Sequence, residues 1–229
     1  ERILAVSRDF TLRGPMVRAP YAPKQAAGAA LIKLAAAGQA EYSIESFLTT
    51  REGSHPRLSA TVRAEAPEFL WVALPYPASM DVRAADALVR EGKGGATFRI
   101  ELPEGYTDHV ARRTAKGLAL EGLETDGALL WLRFDKAGAL RAWAVSGASF
   151  LRQKGKTLFT ATGSRVSACA DGERVEFSAE RLEELLFAGT ARVRVNGREC
   201  AGLSAGTPWK PGYEERRSLR LAYDGGALY

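Results

Sequence analysis

The chain has 229 residues and a mass of 24.7 kDa, with 46% apolar and 26% charged residues. Those are ordinary globular proportions, and they exclude a disordered, collagenous or low-complexity chain. The net charge is +5, and 24 of the 32 basic residues are Arg. Planar bidentate pairing to carboxylate, sulfate or phosphate is therefore available. The basic residues are scattered, with Arg112-Arg113 and Arg216-Arg217 as the only adjacent pairs, so a basic arm for nucleic acid is not expected.

A chain of this length buries roughly 70% of its unfolded surface, so it folds without a metal or disulfide staple. One domain over 1–229 is the expectation, because all-β domains often reach this size. No window approaches ~18 consecutive apolar residues, so no membrane-spanning helix is expected. The sequence starts at Glu1 without Met, and the expectation is a processed, tagged or excised piece.

In chain order, the stretch 26–37 is Ala-rich and ambiguous between helix and strand, with Gly28 and Gly38 favouring a strand. From residue 56 the dominant period is two. Segments 56–65 and 69–76 alternate. In 97–102, Phe98, Ile100 and Leu102 share one face, while Thr97, Arg99 and Glu101 take the other. Segment 118–125 alternates, and 128–135 places Leu130, Leu132 and Phe134 on one side. Segments 139–146, 156–161, 164–170 and 174–179 follow the same rule. Residues 178–189 predict a helix, capped at Ser178, ending before Gly189, with Leu182, Leu185 and Leu186 on one face. Residues 191–197 return to alternation, and 204–229 predict a tail wrapping over the surface.

Asp126-Gly127, Asp171-Gly172 and Asn196-Gly197 predict two-residue hairpins, because a type I′ turn needs positive φ at both central positions. Lys136-Ala137-Gly138 suits a longer hairpin. Tight turns leave no room for helical crossovers, so the predicted fold is an all-β antiparallel sandwich of two packed sheets, with at most one or two short helices.

The residues that carry chemistry are few. Cys169 and Cys200 lack the spacing of a CxxC redox motif or zinc knuckle. They either pair across strand ends, for roughly 3–4 kcal/mol, or stay as buried free thiols. On a strand, Tyr106, Asp108 and Val110 face one way, with Thr107, His109 and Ala111 facing the other. Asp108 and His109 therefore do not form a dyad. Tyr106 and His109 suit a surface stripe for an anionic ligand, or an ordinary edge strand. His55 precedes Pro56 and reads as a loop residue. No GxSxG, HExxH, Asp-rich calcium loop or Walker A motif occurs, so no catalytic residue, metal or cofactor is assigned. Trp131 and Trp143 each take the face opposite their strand's most apolar set, beside Arg133 and Arg141. They form an aromatic platform for a sugar ring and its carboxylate, or both faces are covered and they are core.

Residues 45–77 (ESFLTTREGSHPRLSATVRAEAPEFLWVALPYP) resemble a stretch of the C-terminal β-sandwich of heparinase II/III-like polysaccharide lyases. A strand, a short loop ending in Pro, a strand, and an apolar strand closing on Pro follow in that order. Residues 106–162 continue the pattern through YTDHVARR, the turn Gly122 to Gly127, LLWLRFD and a Gly-Lys hairpin before TLFTA, and VRVNGREC fits the final hairpin. Such lyases pair an α/α toroid with a large sandwich and cleave acidic polysaccharides by β-elimination. The resemblance implies an accessory sandwich in an extracellular or periplasmic bacterial enzyme. Its partner would be an acidic polysaccharide or a missing toroid domain or chain. The toroid and the family's early His-rich and Asn-Thr motifs have no counterpart here, so no catalytic residue carries over. The alternatives are an independent carbohydrate-binding or adhesion module, or a lyase subunit completed by a partner chain.

Overall fold

The structure is a computed structural model that describes residues 3–6, 11–13, 16–21, 28–36, 40–49, 53–63, 69–77, 79–92, 97–113, 117–200, 203 and 205–216. The fold is all-β, with two short helical turns among the described residues. The contacts sort into two compact units, Glu1–Glu101 and Leu102–Tyr229.

The first unit runs β1 (Ile3–Val6), β2 (Thr11–Arg13), β3 (Met16–Tyr21), β4 (Gly28–Ala36), β5 (Ala40–Thr49), β6 (Gly53–Val62), β7 (Phe69–Pro77), α1 (Val82–Ala87), β8 (Val89–Glu91) and β9 (Thr97–Glu101). One sheet has the order β1-β2-β3-β4-β7, and β5-β6 form a separate hairpin. The ambiguous stretch 26–37 contains β4, which pairs antiparallel with β7 from Gly28↔Pro77 to Ala36↔Phe69. The side chains explain why a strand wins. Leu31 is fully buried, Ile32 is only half-buried on the other face, and Lys33 returns to the face of Leu31. There the Lys33 ammonium pairs with Asp86 of α1 at 2.6 Å and donates to the carbonyl of Val89. A helix would have carried three neighbouring residues to three directions. β7 alternates in the same way: Leu70 and Tyr76 are buried, whereas Phe69 and Trp71 are 42% and 62% exposed.

The second unit is the sandwich. It runs β10 (Thr107–Arg112), β11 (Leu118–Leu120), β12 (Leu123–Thr125), β13 (Leu129–Phe134), β14 (Leu140–Ala148), β15 (Phe150–Gln153), β16 (Lys156–Gly163), β17 (Val166–Asp171), β18 (Arg174–Ser178), β19 (Leu182–Phe187), β20 (Arg192–Val195) and β21 (Arg198–Glu199). The larger sheet has the order β21-β20-β18-β17-β14-β13-β10, and the smaller has β11-β12-β15-β16-β19. The pair β18–β20 is parallel and the other pairs of the unit are antiparallel.

Leu130, Leu132, Trp143, Val145, Val175 and Phe177 of the larger sheet pack on Leu123, Leu151, Phe159, Leu185 and Phe187 of the smaller. A run of rings crosses between the layers. Trp143 stacks on Phe159 at 6.0 Å, Phe159 meets Phe177 edge-on at 5.2 Å, and Phe177 meets Phe187 at 6.2 Å. Such contacts add about 0.5–1.5 kcal/mol each beyond the area they bury.

The predicted helix over 178–189 is instead β19, paired with β16 from Phe159↔Phe187 to Gly163↔Leu182. The register shifts between Thr162 and Gly163, leaving Glu183 as an extra residue. That bulge turns both Leu182 and Leu185 inward at a spacing of three, which imitates a helical face. The Asp126-Gly127 pair is not a hairpin either. It carries the chain from β12 in the smaller sheet to β13 in the larger. A Cβ on Gly127 would lie 2.7 Å from Val145 Cγ2 and 2.9 Å from the carbonyl oxygen of Ser146, so only glycine fits the crossing. Asp126 clamps the same corner: its carboxylate accepts hydrogen bonds at 2.8 Å from the Ser149 amide and hydroxyl and pairs with Arg165 at 3.0 Å.

The Asn196-Gly197 hairpin forms as expected, with φ of 49° and 78°. Glu121-Gly122 and Lys154-Gly155 build the same type I′ geometry. At Asp171-Gly172 the turn lies one residue later, since Asp171 already pairs with Arg174. In the tail, Trp209 bridges to Leu185 by bonds of 2.8 and 2.9 Å and covers the open edge of β19, while residues 217–229 lie outside the described residues.

Candidate functional site

The outward face of the larger sheet in the second unit brings together three of the six candidate residues, Tyr106, Trp131 and Arg133. Directly opposed residues in a ladder share a face, so the rungs can be read from the register. One rung runs Asp108–Arg133–Ala142–Asp171 across β10, β13, β14 and β17. The next runs Val110–Trp131–Ala144–Cys169. Beside them Leu129 opposes Ser146, whose hydroxyl lies 3.5 Å from that of Ser167.

Arg133 organises this face. Its guanidinium donates to both oxygens of Asp108, at 2.7 and 2.8 Å. The Asp108 hydrogen bond is the main reason its pKa lies above the ordinary Arg value, with burial opposing. The same guanidinium lies over the Trp131 ring at 5.0 Å and over the Tyr106 ring at 5.8 Å. Asp108 is only 6% exposed, whereas Tyr106 is 38% exposed and Trp131 half-buried. A buried carboxylate thus fixes a cation against two aromatic rings at the surface, a geometry worth about 0.5–1 kcal/mol per ring contact when exposed.

Arg141 sits elsewhere. Phe134 opposes Leu140 and Arg133 opposes Ala142, so Arg141 is the extra residue of a bulge at the end of β14. Its side chain turns back to Asp135 at 2.6 Å. The Asp135 carboxyl is held below its ordinary value chiefly by the Ala139 amide and then by Arg141. The bulge also corrects the expectation for Trp143. It lets Leu140 and Trp143 both face inward, so Trp143 opposes Leu132 and is 7% exposed in the core. Trp131 and Trp143 therefore stand on opposite faces and do not form one platform.

His109 also faces inward, opposite Leu132, at the rim of the sandwich. It meets Phe134 edge-on at 5.6 Å, and its Nδ1 lies 3.2 Å from a carboxylate oxygen of Glu121. It is not part of the Tyr106–Arg133–Trp131 group. His55 falls in β6, but its side chain lies outside the described residues.

Cys169 and Cys200 are both free thiols. Burial, with Glu215 and Glu176 adding to it, pushes the Cys200 thiol up to about 11, so it carries little thiolate near neutral pH. Among the described residues, no group of three or more His, Cys, Asp and Glu is placed to hold a metal ion, and no helix is long and apolar enough to cross a membrane.

Sequence reasoning missed Asp108 and Asp135 as partners of the two arginines. Asp108 was legible in principle, because alternation puts it on the face of Tyr106, but its match to Arg133 depends on the β10–β13 register. The exposed aromatic pair Phe69 and Trp71 was also missed. Compared with known families and curated proteins, the chain matches no family model and no curated protein.

Proposed function

We propose that this chain is a glycan-docking accessory β-sandwich of a polysaccharide-degrading enzyme of the lyase type, exported from a bacterial cell, with the eliminating residues supplied by another domain or chain. The observation that carries this reading is the Tyr106–Arg133–Trp131 group on an open sheet face. Aromatic rings held at a surface by a fixed cation suit stacking on the C–H side of a pyranose with little ordering cost at binding. The strand-and-turn likeness to heparinase II/III-like sandwiches supports the assignment to such an enzyme. The two exposed aromatic side chains of β7 support an accessory part over a free-standing module, because a monomer seldom leaves paired aromatics uncovered.

Asp108 does not suit the role of general base here, since both its oxygens already accept from Arg133. The face is built to hold rather than to react. Native electrophoresis of the purified chain through gels cast with separate acidic and neutral polysaccharides tests the reading. Retarded migration in at least one polymer, lost in Trp131→Ala, is the expected result; unchanged migration in every gel would sink it.

A further inference from the structure

The corner where Asp126-Gly127 carries the chain between the two sheets holds two arginines on one oxygen. Arg113, just past β10, donates from Nη1 to the Asp126 carbonyl at 3.2 Å. Its own amide bonds the Ala128 carbonyl at 2.8 Å, which fixes the backbone there. Arg165, in the turn between β16 and β17, donates from Nη1 to the same Asp126 oxygen at 3.0 Å and to the Gly147 carbonyl at 2.7 Å. Both side chains are exposed. Because the two Nη1 atoms share an acceptor, they lie within about 6 Å of each other, a range at which like charges repel.

Arg133 and Arg141 each have a carboxylate to themselves, Asp108 and Asp135. At this corner one carboxylate stands between two arginines, and it is already taken. Asp126 pairs with Arg165 at 3.0 Å and accepts from the Ser149 amide and hydroxyl at 2.8 Å and from the Phe150 amide at 3.4 Å. Those bonds fill the roughly four acceptor positions of a carboxylate. Among the described residues, the Arg113 side chain has the Asp126 carbonyl as its one hydrogen-bond partner and pairs with no carboxylate.

Bracing of the corner does not account for Arg113. Arg165 by itself ties both carbonyls and the carboxylate together, and the Asp126 carbonyl needs no second donor. The Nε and Nη2 edges of both guanidiniums meet no acceptor among the described residues. A phosphate group suits those edges. It brings about −1.5 to −2 charges and three acceptor oxygens, where a carboxylate brings a single charge. Charge-assisted bonds of about 2.8 Å to two of its oxygens span the gap between the arginines.

We propose that the Arg113–Arg165 corner binds a phosphate group, as the free ion or as a monoester, between the two guanidiniums. The site is separate from the Tyr106–Arg133–Trp131 group and does not depend on the glycan-docking reading.

The test is a thermal melt of the full chain against inorganic phosphate and glucose 6-phosphate, with chloride at matched ionic strength as the reference. Phosphate also stabilises proteins by exclusion from their surfaces, so the variants decide the outcome. Arg113→Gln removes the arginine that the corner does not need. Arg174→Gln removes an exposed arginine of β18 as a control of equal charge. The expected result is a Tm rise that saturates at roughly millimolar phosphate. Its half-saturation should weaken about tenfold in Arg113→Gln and stay unchanged in Arg174→Gln, while the Tm of Arg113→Gln in chloride matches that of the parent chain. Half-saturation at lower concentration with glucose 6-phosphate would support the proposal with an ester as the ligand, and equal values would support it with the free ion. A rise that never saturates, or that falls equally in both variants, would overturn the site.

Discussion

At the scale of single residues, paired carboxylates set the behaviour of the arginines. Asp108 is buried and bidentate, so Asp108→Asn should cost about 1–3 kcal/mol of stability, read from urea unfolding. The freed guanidinium should also give the variant new, salt-sensitive retention on acidic polymers. Asp126 makes a pH prediction. Burial alone would raise its pKa, but the Ser149 amide and hydroxyl and Arg165 outweigh burial and hold it below its ordinary value of 3.8. A lowered folded pKa contributes stability that is complete above 3.8 and lost as pH falls through the lower folded value. Asp126→Asn should therefore lower stability at pH 7 by about 1 kcal/mol, after discounting for solvent screening. The gap from the parent chain should close as the solution is acidified below that ordinary value, and a Tm series against pH reads it. Cys200 should alkylate slowly at neutral pH, with a rate that climbs steadily as pH rises towards about 11.

At the scale of elements, two neighbouring strands carry tryptophans with opposite fates. Trp143→Ala should cost about 3–5 kcal/mol, because it empties a site in the aromatic run through the core. Trp131→Ala should cost about 1 kcal/mol or less, mainly its contact with Arg133. Equal losses would contradict the register. Gly127→Ala should cost about 1–3 kcal/mol through overpacking against Val145. These elements also show what was legible beforehand. Strand alternation in Phe98–Leu102, Leu130–Phe134 and Val193–Val195 needed only the period of two, and Asn196-Gly197 announced its own turn. The bulges did not announce themselves. An extra residue at Glu183 gave Leu182 and Leu185 a helical spacing, and an extra residue at Arg141 sent Trp143 inward. A bulge is a property of two strands together, so a pattern read along one strand misplaces whatever lies beyond it. The candidate site suffered from the same cause: Tyr106, Trp131 and Arg133 were found from alternation, while Trp143, Arg141 and His109 were grouped with them and are elsewhere.

At the scale of the molecule, the chain divides into two units whose surfaces differ in kind. The second buries Trp143, Phe159, Phe177 and Phe187 in a run between two sheets and leaves Tyr106 and Trp131 on its outer face. The first presents Phe69 and Trp71 outward from β7, beside Leu34 and Ile32 of β4. Trp71 should be the tryptophan most accessible to acrylamide, and Trp71→Phe should shift the emission of the remaining three towards the blue. The segment around Trp209 also acts beyond its own contact. The β19 edge is the end of the smaller sheet, and Trp209 occupies the amide and carbonyl of Leu185 there. Cut the chain at residue 203 and that row of donors and acceptors becomes a template for another molecule's strand. A few residues at the end of the fold thus act as a guard against fibril growth, and light scattering of the shortened chain should rise with time where that of the parent stays flat.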